Sequence, residues 1–358
     1  MKEVPERHQI STFSGVSRKY EHSYEPRCEQ LGRAQYFADV FGPPPHTFSL
    51  AIANLMLDFQ NGKEELSDRS VFQVTRLQKA PSFLAHLYYA TRAYYPEKWE
   101  QGHISRPIDL ARCYDPRTLS AIIALSYLYK RAKRICHPHE WPFIAKALQL
   151  NTDIGMHLGK TFTDISTSCG LLGGAMIFLA QAAFHAEDPQ GLQRYRRAVK
   201  QNMLFDPDLE LRTWGCTSYQ IAACLMAIIG FRSDYSAAFC LGFESTNLDQ
   251  VLPDEDSARF RHVRAYLESV HSGRALILKD ECASIEVEML MQDARKMKER
   301  SLEDSVHWLA RNKDDISPET LSELQGISWD HTAAVLQKLG CPLHYEINGE
   351  SNGGEQSK

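Results

Sequence analysis

The sequence has none of the short motifs that identify the commonest enzyme classes. Its 358 residues contain no G-x-S-x-G nucleophile turn, no H-E-x-x-H metal pair and no G-x-G-x-x-G nucleotide-binding run. No His-Asp dipeptide occurs, and the nine cysteines form no C-x-x-C pair and no framework spacing. We therefore expect reduced, mostly buried thiols and no bound cofactor.

Long apolar runs and a strong positive charge are also missing. The longest apolar stretches, Gly170–Phe184 and Ile221–Phe231, are shorter than the roughly 20 residues that a membrane-spanning helix needs, so both are predicted to be buried core helices. The first residues carry no apolar secretion signal. A formal net charge of −5 gives no general attraction to nucleic acid or to anionic membranes. We expect a cytoplasmic protein without nucleic-acid binding or membrane insertion.

Helical periodicity is the dominant pattern that is present. Apolar residues recur at helical spacing from Cys28 to Gly340, and no convincing alternating strand run interrupts them. Asp115 followed by Pro116 is typical of an N-cap with proline at the first helical position, so the clearest helix is predicted to begin there. The pattern predicts an all-α helical bundle. Further helices are expected from about 139 to 158, 165 to 184, 192 to 203 and 217 to 229.

Proline, glycine and acidic runs divide the chain. The breaks fall at Gly42–Pro45, Pro96–Pro107 and Asp249–Asp256. The predicted segments are a disordered N-terminal tail (1–27), an N-terminal helical subdomain (28–135), a second helical subdomain (136–248), a C-terminal helical extension (255–345) and a disordered C-terminal tail (346–358).

Several short runs follow one another in a familiar order. A proline-rich run comes first, two glycine-containing helix starts follow, and a Glu–Gly pair precedes a last apolar helix; these are Phe41–Pro45, Ile154–Gly159, Gly170–Leu172, Glu210 with Gly215, and Gln220–Ala222. This order resembles the HDOD domain, the non-catalytic signalling branch of the HD superfamily. The resemblance covers roughly residues 30–245 and implies an HD-like helical bundle preceded by a smaller helical subdomain.

The resemblance also implies that the metal site of HD-type hydrolases is degenerate here. Gly173 and Gly174 stand where the enzymes have His-Asp, and glycine has no side chain with which to ligate. Leu150 or Asn151 stands near the first metal-binding His, and Ser218 near a later one. We therefore expect the scaffold without hydrolytic chemistry.

A few side chains remain as candidate metal ligands. Cys136, His137, His139 and Glu140 are types that zinc accepts, but a loop before a helix explains them better because no second ligand pair stands at finger-like spacing. His185 with Asp188 could recruit a metal or help form a general acid–base site. A solvated helix end is the preferred interpretation of this pair.

Three further positions suggest structural roles. Gly155–Thr161 is similar to a phosphate loop but has three residues rather than four between its glycines, so Gly155 and Gly159 are expected to permit close helix–helix approach. Glu210 is expected to hydrogen-bond the backbone at the start of a neighbouring helix. Trp214 is expected in the core.

Two surfaces are candidates for binding a partner protein. One is an aromatic cluster before a loop, and the other is a basic run on a predicted helix; the residues are Tyr94, Tyr95 and Trp99, and Arg194, Arg196 and Arg197. Packing between subdomains and a solvated helix face are the alternatives. The Met-rich segment around Met289 and Met291 either packs back on the bundle or makes a homodimer contact.

Three functions are compatible with these patterns. The resemblance implies a non-enzymatic HDOD-type signalling or scaffold protein of the bacterial cytoplasm that acts by protein–protein interaction. The second is a metal-dependent phosphohydrolase with a rearranged site built from residues such as His137, His139, His157, His185 and Asp188. The third is a helical-repeat adaptor, which would form an elongated superhelix.

Overall fold

The computed structural model describes residues 17–100, 106–199, 203–248, 251–276, 281–299, 306–317 and 320. These residues form α-helices and short 3₁₀ helices, with no strand among them, so the predicted all-α fold is confirmed. The α-helices are α1 Ser17–Asp39, α2 His46–Gln60, α3 Asp68–Gln78, α4 Pro81–Tyr94, α5 Pro96–Glu100, α6 Pro107–Ala111, α7 Pro116–Ile135, α8 Trp141–Thr161, α9 Thr167–Glu187, α10 Pro189–Ala198, α11 Pro207–Trp214, α12 Ser218–Ile229, α13 Ser233–Glu244, α14 Glu255–Ser272 and α15 Glu281–Glu299. Two 3₁₀ helices follow at Trp308–Ala310 and Lys313–Asp315.

The chain divides into two compact units. Unit 1 comprises Met1–Pro45 and Ala124–Ser305, and unit 2 comprises His46–Ile123 and Val306–Lys358. The boundary between Ile123 and Ala124 falls inside α7, whereas the sequence places a subdomain boundary after residue 135. The predicted C-terminal extension is divided as well, because α14 and α15 belong to unit 1 and the residues from Val306 onward to unit 2.

Local capping signals explain where several helices begin. The carboxylate of Asp115 accepts hydrogen bonds from the backbone N–H groups of Arg117 (3.0 Å) and Thr118 (2.9 Å), which confirms the predicted start of α7. The helix predicted over 192–203 is placed wrongly. It runs from Pro189 to Ala198, because Asp188 caps it and proline occupies its first turn.

The N-terminal prediction also needs correction. Residues 17–27 were expected to be disordered, but they form the beginning of α1. A polar composition lowers the apolar area that a segment can bury, but it does not prevent a helix whose later turns are packed. Those later turns contribute Ala34, Phe37 and Ala38 to the core of unit 1. The predicted tail residues 1–16 and 346–358 lie outside the described residues.

The centre of unit 1 is α9, which is buried along almost its whole length. By length and composition it is the one described helix that could cross a membrane, and 94% of its most apolar window is buried inside the protein. It packs against α8, α12, α14, α10 and α1. A helix that is apolar on every face needs such cover on every face, so the predicted core helix is confirmed.

Glycines let α8 and α9 approach until their backbones touch. A Cβ built on Gly155 would lie 2.0 Å from the carbonyl oxygen of Gly170, and one built on Gly170 would lie 2.1 Å from that of Gly155. A Cβ built on Gly159 would lie 2.7 Å from the Cα of Thr167. No side chain fits at these distances, so the expected packing role of Gly155 and Gly159 is confirmed.

Unit 2 is organised around α3 and α4. The buried carboxylate of Asp58, in α2, accepts hydrogen bonds from Ser67 and Ser70 at the start of α3. α4 contacts α3, α5, α6 and both 3₁₀ helices. Residues distant in sequence therefore complete this small core, since Trp308, Leu309 and Ile316 are all buried.

Candidate functional site

The positions assigned to a degenerate metal site lie in the packed interior of unit 1. A Cβ on Gly174 would lie 1.9 Å from the carbonyl oxygen of Asn151, and one on Gly173 would lie 2.3 Å from Cγ1 of Val263 in α14. The side chain of Asn151 donates to the carbonyl of Ala147 (2.8 Å), and its Oδ1 lies 2.6 Å from Nε2 of His271. These positions hold three helices together, and no side chain fits at either glycine without displacing a neighbour.

Ser218 is the first residue of α12, and its backbone N–H donates to Oε2 of Glu210 at 2.7 Å. The hydroxyl of Tyr195 donates to the other oxygen of Glu210 at 2.8 Å. Glu210 is fully buried, and burial raises its pKa to about 7, although both hydrogen bonds oppose that rise. The expected hydrogen bond from Glu210 to a neighbouring helix start is confirmed.

Asp188 and Trp214 also have structural roles. Asp188 caps α10 by accepting from the backbone N–H of Gly191 (2.8 Å), and its second oxygen accepts from Nε1 of Trp214 (3.2 Å). Trp214 is buried and stacks on Phe184 with ring centroids 3.8 Å apart, which confirms its core position. The carboxylate of Asp188 is thus held by two donors.

The remaining candidate metal ligands do not meet. His137 and His139 are exposed, and their rings stack on each other at 5.2 Å. His185 is buried, neither of its ring nitrogens has a hydrogen-bond partner among the described residues, and burial lowers its pKa. Within the ranges that the structure describes, no three His, Cys, Asp or Glu side chains are close enough to hold a metal ion.

The predicted aromatic cluster is only partly accessible to solvent. Tyr94, for which partner binding and packing were both open, is buried, and its hydroxyl accepts a hydrogen bond from Nε1 of Trp308 at 2.7 Å, so it serves packing. Tyr95 is half-buried, and its ring meets that of Tyr114 edge-on. Burial raises the pKa of Tyr95 to about 12. Trp99 lies in α5, and its side chain lies outside the described residues.

The basic run on α10 is divided by its environment. Arg194 and Arg197 are exposed, as a binding surface requires. Arg196 is half-buried, and its guanidinium forms an ion pair with Glu140 at 3.1 Å. Burial lowers the pKa of Arg196, while Glu140 opposes that effect. Arg196 therefore joins α10 to the residue that precedes α8.

A cleft that the sequence did not reveal lies beside α14 in unit 1. We call it the α14 cleft; its volume is about 420 Å³. Its walls come from the segment before α11, the segment after α13, and the last turns of α14 with the residues that follow them: Met203, Leu204, Phe205, Thr246, Leu248, Arg264, Ala265, Glu268, Ser269, Ser272, Arg274, Ala275 and Leu276. Such a mixture of apolar walls and a few polar groups is typical of ligand sites.

The polar groups of the α14 cleft carry both charges. Arg264 lies over the ring of Phe205 (5.0 Å to the centroid), and its Nε donates to Glu268 at 2.7 Å. Its Nη1 donates to the carbonyl oxygen of Phe243. Arg274 is exposed at the edge and has no ion-pair partner among the described residues. The charge of Arg264 is thus compensated, whereas that of Arg274 is available to a ligand.

One signal in the sequence points to part of this cleft. Arg264 and Glu268 are four residues apart, which places them together on one face of α14. Nothing local relates α14 to Met203–Phe205 or to Leu248, because these segments meet only through tertiary packing. The chain matches no protein-family model, no curated protein and no solved structure.

Proposed function

We propose that the protein acts without catalysis, as a cytoplasmic interaction protein of the HDOD type in signal transduction, and that the α14 cleft receives a segment of its protein partner. The single observation that carries this proposal is the α14 cleft, with apolar walls and the unpaired charge of Arg274 at its edge. Grooves of this kind receive apolar anchors while a charged group at the rim selects the partner.

Packing in unit 1 supports the absence of chemistry. The positions that the HDOD resemblance assigns to metal ligation, Gly173 and Gly174, are filled by Val263 and by the backbone of Asn151. Restoring a His-Asp pair there would require α8 and α14 to move. The packing of unit 1 therefore favours a role in presenting a binding surface over a role in binding a metal at these positions.

The cleft also indicates the chemistry of the partner segment. Leu204, Phe205 and Leu248 offer apolar walls, so a bulky apolar side chain fits between them. Arg274 then lies at the rim, where a carboxylate of the partner would find an unpaired cation. We expect a segment with an aromatic or aliphatic residue close to Asp or Glu.

A peptide-display selection tests the proposal. Random peptides are selected on the full chain, and the enriched peptides are measured against Ala265→Trp, which fills the cleft, and Arg274→Glu, which reverses the rim charge. We expect binding to be lost in the first variant and weakened by about five- to tenfold in the second. Arg212→Glu, an exposed arginine on α11, is the matched control and should leave affinity unchanged.

Two results would contradict this proposal. One is the failure of any peptide to enrich above a folded reference protein. The other is a set of peptides that bind Ala265→Trp as well as the parent chain, since their site would lie elsewhere.

The phosphohydrolase alternative is separated by metal content. Elemental analysis of protein purified without chelator or affinity-tag metal should find no stoichiometric iron, manganese or zinc. The structural reason is that, among the described residues, no three His, Cys, Asp or Glu side chains gather closely enough to hold a metal ion. Stoichiometric metal would overturn the proposal and make phosphoester hydrolysis the next assay.

Contacts within unit 1 argue against the helical-repeat adaptor. In a stacked repeat each element touches its sequence neighbours. Here α1 packs against α12 and α9, and α8 packs against α15, so elements far apart in sequence meet. The pattern within this unit is that of a bundle around α9.

A further inference from the structure

A short segment of unit 2 lies on α4 in the way that a peptide lies on a receptor. We call Val306–Ser317 the strap. Three apolar side chains anchor it: Trp308 is 3% exposed, Leu309 1% and Ile316 4%. Both of its 3₁₀ helices contact α4. The strap follows α15, a helix of unit 1, along the chain.

Several backbone hydrogen bonds of the strap lie within the strap itself. Within it, Ala310 N–H donates to the carbonyl of His307 (2.9 Å), Arg311 to that of Trp308 (3.2 Å) and Asp315 to that of Asn312 (3.1 Å). The backbone N–H of Leu309 donates to Nδ1 of His307 (3.1 Å). These bonds do not involve α4, so they can remain formed if the strap leaves α4.

Side chains make the attachment to α4. Nε1 of Trp308 donates to the hydroxyl of Tyr94 at 2.7 Å, and the Trp308 ring meets the rings of Tyr94 and His86 edge-on, each at 6.1 Å. The hydroxyl of Tyr89 donates to the carbonyl oxygen of Asp315. Arg311 lies over the Tyr89 ring, 4.6 Å from its centroid. A buried tryptophan surrounded by polar contacts is the usual anchor of a peptide interface.

From this arrangement we infer that the surface of α4 formed by His86, Tyr89 and Tyr94 is a recognition site for the strap sequence, and that it accepts the strap of a second copy of this chain. The second copy is chosen because its strap is the one ligand whose fit the structure displays. Exchange of an identical element between copies creates no new contact and loses none.

Within one chain the tether favours the chain's own strap. Covalent attachment raises the effective concentration of a chain's own strap at α4 above that of other copies, so exchange between wild-type copies is rare at micromolar concentration. Exchange becomes dominant once the strap of each chain can no longer bind α4 of the same chain. Two variants with complementary defects therefore test the inference.

The first variant is Trp308→Ala, which spoils the strap and leaves the α4 surface intact. The second is Tyr94→Ala, which spoils the surface and leaves the strap intact. We expect each to be monomeric alone and the mixture to form a one-to-one heterodimer, seen by light scattering and native mass spectrometry. Tyr36→Ala, which removes an exposed tyrosine of α1, replaces Tyr94→Ala as the control and should form no heterodimer with Trp308→Ala.

A labelled peptide of residues 306–317 gives a direct reading. By fluorescence anisotropy it should bind the Trp308→Ala chain and bind the Trp308→Ala, Tyr94→Ala double variant at least about tenfold more weakly. Circular dichroism checks that each variant folds, and Tyr94→Phe, which removes only the hydroxyl, replaces Tyr94→Ala if the helical signal is lost.

Each outcome of these experiments either supports or contradicts the inference. A heterodimer together with Tyr94-dependent peptide binding supports the inference. Peptide binding without a heterodimer overturns the second copy as occupant, and peptide binding that ignores Tyr94 overturns the site itself. None of these results involves the α14 cleft, so the proposed function stands or falls separately.

Discussion

The α8–α9 pair of unit 1 and the α4–strap pair of unit 2 join buried elements by opposite means. α8 and α9 meet backbone to backbone. A Cβ built on Gly155 or on Gly170 would lie within 2.1 Å of the carbonyl oxygen of the other glycine. The strap meets α4 mainly through side chains, with Trp308 as its anchor, and several of its backbone hydrogen bonds lie within the strap. A side-chain rotation cannot relieve the first contact, whereas the second contact is made by side chains that can move without a shift of either helix backbone.

This difference has consequences for tolerance and for function. A contact between backbones can change only if a helix moves, so substitutions there should destabilise the entire unit. A contact made by a few side chains can open locally at a free-energy cost below that of global unfolding. Surfaces that exchange partners belong to the second kind.

The largest expected effect is that of Gly174→Ala. Its Cβ would lie 1.9 Å from the backbone oxygen of Asn151, so α8 and α9 must separate. We expect the free energy of unfolding to fall by at least about 3 kcal/mol, measured by urea denaturation with circular dichroism. Gly32→Ala is the control, because nothing lies within 4 Å of that position. It should raise stability by about 0.5–1 kcal/mol, and equal losses in both variants would refute the role of the joint.

Next in size is a pH dependence centred on Glu210 in unit 1. Its pKa rises from the ordinary 4.5 to about 7 on folding, so the folded state holds the proton more tightly than the unfolded state. The contribution of Glu210 to the free energy of unfolding should therefore be fully present below about pH 4.5. It should be lost as the pH rises from there through 7, which lowers the free energy of unfolding by on the order of 3 kcal/mol.

Glu210→Gln should remove that pH dependence, while Asp208→Asn, an exposed carboxylate on the same helix, should retain it. Hydrogen exchange followed from pH 5 to pH 8 locates the effect. Protection should decline in α11 and α12 and stay constant in the strap. A uniform decline across both units would show that Glu210 is not the cause.

A smaller global effect is expected from Trp308→Ala. Removing a buried tryptophan from a fixed core costs about 3–5 kcal/mol. Here the strap can leave its site instead of enclosing a cavity, so the global free energy of unfolding should fall by no more than about 2 kcal/mol. Limited proteolysis should cut the strap of this variant faster than that of the wild type. A loss as large as that of Gly174→Ala would mean that the strap belongs to the global core.

The smallest effect is expected at the ion pair between Arg196 and Glu140. Both side chains are partly exposed (28% and 37%), so solvent screens their attraction. Glu140→Gln should change the free energy of unfolding by about 0.5 kcal/mol or less, a difference that salt should reduce further. Arg194→Gln, at an exposed position of the same helix, provides the comparison and should change nothing measurable.

Local features of the fold were predictable because neighbouring residues cause them. Asp115 with Pro116 marks the start of α7, and the apolar run from Gly170 to Phe184 marks a helix that must be buried on all sides. The error at α10 arose from treating Asp188-Pro189 as the end of one helix only, when it also begins the next. The same two residues indicate both the end of α9 and the start of α10.

The roles of several residues were beyond local reasoning. The position of Tyr94 before a loop left partner binding and packing both open, and a tryptophan more than two hundred positions later decides for packing. The α14 cleft escaped notice for the same reason, since its walls come from three separate segments. Spacing within a helix can align Arg264 with Glu268, but it cannot indicate which other segment faces them.

The sequence by itself determined that the chain is helical, where several helices begin, and that Glu210 and Trp214 serve the interior. Capping, periodicity and burial of apolar area act between near neighbours, so these properties can be read along the chain. Only the tertiary structure decided that Gly173 and Gly174 are contact points between helices and that Trp308, Leu309 and Ile316 complete the core of unit 2. These depend on which faces meet, and that choice is made by packing the whole chain at once, because a close-packed interior leaves each face a single well-fitting neighbour.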